Sequence, residues 1–86
     1  MKASIGRIII VRGGSAASNG ADRAPAIITR LWSEDTDTRN GPVLVNATAF
    51  SDLATPQLIG SVKLYDTEAD APADDGSAVA FWPERV

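Results

Sequence analysis

Two pairs of side chains in this sequence are of the types that recognise a flat anion. Arg30 and Trp32 lie two residues apart in Ile27-Ile28-Thr29-Arg30-Leu31-Trp32, so on a strand they share a face. Trp82 and Arg85 sit in the closing stretch Phe81-Trp82-Pro83-Glu84-Arg85-Val86. An indole ring stacks on a base or on another aromatic ring. A guanidinium lies over that ring or grips a phosphate through parallel N–H donors. Arg7 and Arg12 bracket an apolar run, and Tyr65 ends another. The expected ligand-binding set is therefore Trp82, Arg85, Trp32, Arg30, Arg7, Arg12 and Tyr65. Tryptophan also anchors subunit interfaces, so Trp82 is expected to serve a ligand or a neighbouring chain.

What is missing narrows the chemistry further. The chain has no histidine and no cysteine. That removes the commonest general base, the thiol nucleophile, the disulfide and the thiolate zinc site. No nucleophile–base pair can be assembled, and the expectation is a binding protein without a cofactor rather than an enzyme. The acids Asp66, Glu68, Asp70, Asp74 and Asp75 fall in one loop with no base among them, while the rest of the chain is mildly basic. No long nucleic acid is expected, because no strongly basic stripe is present. The spacing of Asp66, Glu68 and Asp70 invites a calcium loop. An EF-hand, however, needs glycine at its sixth position and glutamate at its twelfth, where Ala71 and Ser77 stand. A solvated acidic loop is expected instead.

The elements that must carry these side chains read as strands. Five short β-branched or aromatic runs cover residues 5–12, 24–32, 42–50, 58–65 and 77–82, separated by Gly-, Pro- and Asn-rich turns. Residues 13–23 and 66–76 read as loops, and Ser51 could open a helical turn that Pro56 limits. In the second strand Ile27 and Leu31 are expected inside, leaving Arg30 beside Trp32 outside. In the third, Val43, Val45, Ala47 and Ala49 form the core face. In the fourth, Val62 and Leu64 point in, Lys63 and Tyr65 point out, and Gly60 marks a bend or bulge. In the fifth, alternation puts Val79 and Phe81 inside and Ala78, Ala80 and Trp82 outside. The first strand is apolar on both faces in its middle, as in a barrel strand or one covered by a partner. The expected fold is all-β: a single domain over residues 1–86, forming a five-stranded antiparallel SH3-like barrel. A chain of 86 residues buries only ~60% of its unfolded surface, which favours an oligomer. No signal peptide or membrane span is read, and a soluble, intracellular protein is expected.

Ser4-Ile5-Gly6-Arg7-Ile8, Pro25-Ala26-Ile27-Ile28-Thr29-Arg30 and Trp82-Pro83-Glu84-Arg85-Val86 together resemble a group of small bacteriophage proteins. These share an S-I-G-R-I opening, an A-I-V-T strand and a W-x-W-P-E-R-V-like ending. Ala80 departs from that ending, standing where the pattern often has its first tryptophan. The resemblance implies a phage origin and action in the host cytoplasm. Phages use small β-rich oligomers to soak up nucleotide immune signals. The expectation is thus a homo-oligomer sequestering a small anionic, nucleotide-like ligand in counter-defence. The alternative is a virion component, such as a head decoration or head–tail protein.

Overall fold

A computed structural model of the chain describes residues 1–13, 22–50, 55–72 and 77–83. The expected helical turn at Ser51, most of the first long loop and Arg85 lie outside these residues. Five strands form: β1 (Ile8–Arg12), β2 (Arg23–Leu31), β3 (Val43–Ala49), β4 (Gln57–Tyr65) and β5 (Val79–Phe81). They close into a barrel in the order β1-β2-β3-β4-β5, with β5 returning to β1. Short 3-10 turns lie at Thr38–Asn40 and Glu68–Asp70. Among the described residues no helix is long and apolar enough to cross a membrane.

The barrel is mixed, not wholly antiparallel as expected. β1 to β4 form an antiparallel meander and β5 pairs antiparallel with β1, but β4 and β5 run parallel, with Leu64 opposite Ala80 and Tyr65 opposite Phe81. The cause lies in the length of the chain between them. A parallel neighbour needs a connection of about a dozen residues or more. The stretch of sequence from Asp66 to Ala78 is that long.

The interior is filled by alternating large and small side chains, as a narrow five-stranded barrel requires. Ala80 sits between Val11 and Leu64, and Ala47 between Ile28 and Ile59. All six are fully or almost fully buried. The β3 core face is as expected, and so are Val62 and Leu64. The first strand begins at Ile8, not at residue 5: Gly6, at φ 93°, turns the chain there and donates to the Ile28 carbonyl at 2.8 Å. Only glycine adopts that angle at little cost.

Two faces are the reverse of the expectation. In β2, Ala24, Ala26 and Ile28 are buried, and Ile27 points outward. A bulge follows: Ile28 opposes Ala47 and Arg30 opposes Asn46, so Thr29 has no partner. One extra residue shifts the alternation by one. Leu31 therefore packs on the core although Ile27 does not. In β5, Ala80 and Trp82 belong to the core cluster, while Val79 is half-buried. Phe81 is also buried, but on the other side of the strand, beneath the Arg23 guanidinium at 5.7 Å.

The N-terminal segment closes the barrel end on which Trp82 lies. Lys2 bridges to Asp37, the Ala3 N–H donates to the Thr36 carbonyl at 2.7 Å, and the Thr38 N–H donates to the Met1 carbonyl at 2.9 Å. The Trp82 indole N–H donates to the Thr38 hydroxyl at 2.9 Å. That hydroxyl in turn reaches the Asp66 carboxylate at 2.7 Å.

Candidate functional site

A second bulge mirrors the one in β2. Val45 opposes Val62 and Ala47 opposes Ile59, so Gly60 and Ser61 together face Asn46. Ser61 takes a left-handed φ of 52°, the one such angle outside glycine among the described residues. Asn46 thus lies between two bulges, and its side chain joins them. Its Oδ1 accepts from the Ser61 backbone N–H at 2.8 Å and from the Trp32 indole N–H at 2.9 Å. The Trp32 backbone N–H donates to the Leu44 carbonyl at 2.8 Å, so the residue is held at both ends.

Arg30, the cross-strand partner of Asn46, lies over the Trp32 ring with Cζ 3.9 Å from its centroid. Stacking at that distance is a cation–π contact. Trp32 is still 46% exposed. Arg30 has no carboxylate partner among the described residues. The result is a fixed aromatic plate carrying a guanidinium whose donors are available to an oxyanion. The pairing of Arg30 with Trp32 outside the barrel is as the sequence predicts. Asn46 is missed by the sequence reading; its position opposite the flagged Gly60 was the available signal.

The other expected site residues are dispersed. Trp82 is 6% exposed and belongs to the core, not to an outward rim. Arg7 lies over its ring at 5.2 Å, without a carboxylate partner among the described residues. Arg12 is already engaged. It pairs with Glu68 at 3.2 Å and donates to the Pro72 carbonyl. Tyr65 lies beside Phe81, half-buried, on the outer side of the barrel. Arg85 is outside the described residues.

The acidic segment is not merely solvated. Glu68 accepts from Arg23 at 2.6 Å as well as from Arg12, and these guanidinium groups, Arg23 first, hold its carboxyl below its ordinary value. The Thr38 hydroxyl lowers Asp66, assisted by the N-terminal ammonium at 3.2 Å. Asp37 is held lower still by Arg39, which donates through Nε at 3.2 Å and Nη2 at 2.8 Å. Between this crossing segment and the barrel wall lies a groove of about 1060 Å³. Ile10, Pro25 and Phe81 provide apolar walls, and Arg23, Arg39, Asp66 and Glu68 are at its edges. Arg23 and Arg39 are each paired with a carboxylate, Glu68 and Asp37, whereas Arg30 has no such partner among the described residues, so the Arg30–Trp32 plate is the stronger anion site.

Comparison with protein-family models, curated proteins and solved structures finds no match to this chain.

Proposed function

We propose that the protein is a phage-encoded homo-oligomer of SH3-like barrel form that binds a small anionic, nucleotide-like ligand in the host cytoplasm. The observation that carries this reading is Arg30 stacked 3.9 Å over an indole that is itself fixed to Asn46. Base stacking uses the exposed part of the Trp32 ring, and the unpaired guanidinium takes the phosphate. Neither task needs a histidine or cysteine, which the chain lacks. Sequestration of a nucleotide immune signal is the role that suits such a binder. A virion component is the second reading, favoured by exposed Ile8, Ile27, Phe50 and Leu58 on a chain this small.

Thermal unfolding against a panel of linear and cyclic nucleotides tests the first reading. A ligand at roughly one hundred times its Kd stabilises the native state by ~2.7 kcal/mol. For a domain of this size that raises Tm by on the order of 10 °C. Trp32→Ala and Arg30→Ala should each abolish the shift while leaving the unliganded Tm within a few degrees. No shift across the panel, or a shift that survives both substitutions, rejects this site. Recovery of the chain from purified virions, without any nucleotide shift, would favour the second reading.

A further inference from the structure

Asn46 fixes the Trp32 indole, and the way it does so limits what else its amide can do. The two groups that meet its Oδ1 are the Trp32 indole N–H at 2.9 Å and the Ser61 backbone N–H at 2.8 Å. Both are donors only, so the atom between them is the amide oxygen, and the orientation of the amide is set by its partners. That oxygen has two lone pairs, and both are taken. The NH2 group of the same amide keeps its N–H donors without a partner among the described residues. Bonded to the same carbon as the oxygen, this NH2 lies beside the N–H edge of the indole. Arg30, stacked 3.9 Å over the ring, can also only donate. Lys63, opposite Leu44 on β4, adds an exposed ammonium with no carboxylate partner among the described residues. The side chains set against the plate thus offer a ligand donors and no acceptor.

We infer that the plate selects a 6-oxopurine, the guanine type of base, over adenine. The inference rests on the nucleotide reading above and names the base which that site takes. A purine stacked on the exposed indole brings one edge to the Asn46 NH2. Guanine carries two neighbouring acceptors on such an edge, O6 and N7. Adenine carries the N7 acceptor beside an N6 amino donor. Asparagine ordinarily pairs with adenine through both ends of its amide, the oxygen accepting from N6 while the NH2 donates to N7. Asn46 cannot make that pair, because its oxygen already holds two hydrogen bonds from the protein. Adenine here sets its amino group against another donor, and a desolvated donor left without an acceptor is costly. Guanine and hypoxanthine place O6 at the same point and accept. A pyrimidine also carries a carbonyl, but its smaller ring covers less of the indole. Arg30 is left for the phosphate.

Isothermal titration of the full chain with GMP, IMP, AMP and purine riboside 5′-monophosphate is the test. IMP has the O6 and N7 of guanine without its 2-amino group, and the purine riboside nucleotide has neither oxygen nor amino group at C6. GMP and IMP should bind alike, each about tenfold more tightly than the other two, which is the discrimination that one good base-edge contact supplies. Asn46→Asp keeps an oxygen for the Trp32 and Ser61 N–H groups, so it should fold as the wild type does by circular dichroism, but it has no N–H to donate. It should lose the preference for GMP over AMP. The ratio of the two affinities is the readout, because the new charge beside Arg30 weakens both complexes. Asn46→Ala, which adds no charge, should level the ratio in the same way. Equal binding of GMP and AMP by the wild type overturns the inference and leaves the nucleotide reading standing. A guanine preference that survives in both variants overturns the role of Asn46. No binding of any of the four overturns it as well, and the wider nucleotide panel above then decides the reading on which it rests.

Discussion

Trp82 stands near the end of the sequence beside a proline, and the alternation of Ser77 to Trp82 assigns it to the surface. Its burial comes from contacts that no local pattern carries. The indole N–H finds the hydroxyl of Thr38, and Met1 packs against the same core. The sequence reading was right about Arg30 and Trp32 because both lie on the same side of a single bulge. It failed on Ile27 because the bulge at Thr29 lies between Ile27 and Leu31 and breaks the alternation that would put both on one face. A buried tryptophan is expensive to remove. Trp82→Ala should cost ~3–5 kcal/mol, from the lost transfer energy and the cavity left behind. That is a large part of the ~5–15 kcal/mol that stabilises a typical domain. Trp82→Phe keeps a ring in place and loses one hydrogen bond, so it should cost ~1 kcal/mol plus a small volume term. Urea titrations of the two variants check the ordering. A Trp82→Ala midpoint equal to that of wild type would contradict the buried position.

At the level of elements, the five strands were legible because β-branched residues cluster in them, and Val43, Val45, Ala47 and Ala49 alternate without interruption. The direction of β5 was not legible. A thirteen-residue polar segment reads equally well as a hairpin loop or as a crossing, and only the closure of the barrel decides. Carboxylates pin that crossing: Asp66 to Thr38 beneath it, and Glu68 to Arg12 and Arg23 along it. Asp37, Asp66 and Glu68 all ionise more readily in the folded chain than their ordinary values. The unfolded chain therefore binds protons first as the pH falls, and the stability these groups contribute is lost through the acid range. Above it, that stability is fully present. With no histidine in the chain, no side chain with an unperturbed neutral pKa is present. Tm should stay level from about pH 8 to pH 5 and fall below about pH 4, where unperturbed carboxylates protonate. Glu68→Gln should have a lower Tm than wild type at neutral pH and a shallower acid fall, so that the two curves converge at low pH. Parallel curves would mean that Glu68 titrates alike in both states.

For the whole molecule, the sequence made a small closed β-structure legible, because five apolar strands in one short chain leave few other ways to bury their faces. Where its surface is spare was also visible, in the doubly apolar first strand. The mixed closure was not, and it sets the order of assembly. β1 to β4 are joined in sequence order, each pairing with the next. β5, three residues long, must find β1 from the far end of the chain. Contacts that distant repay their loop-closure entropy late. β5 should therefore dock after the rate-limiting step. Ala80→Gly should speed unfolding and leave the refolding rate nearly unchanged, whereas Ala47→Gly, in the central β3, should slow refolding. Stopped-flow chevrons of the two variants read this directly, and an Ala80→Gly chain that refolds slowly would place β5 in the nucleus. A barrel whose last stave is its shortest opens first at that seam, so the β1–β5 and β4–β5 edges are where the native chain is briefly a sheet with two free sides.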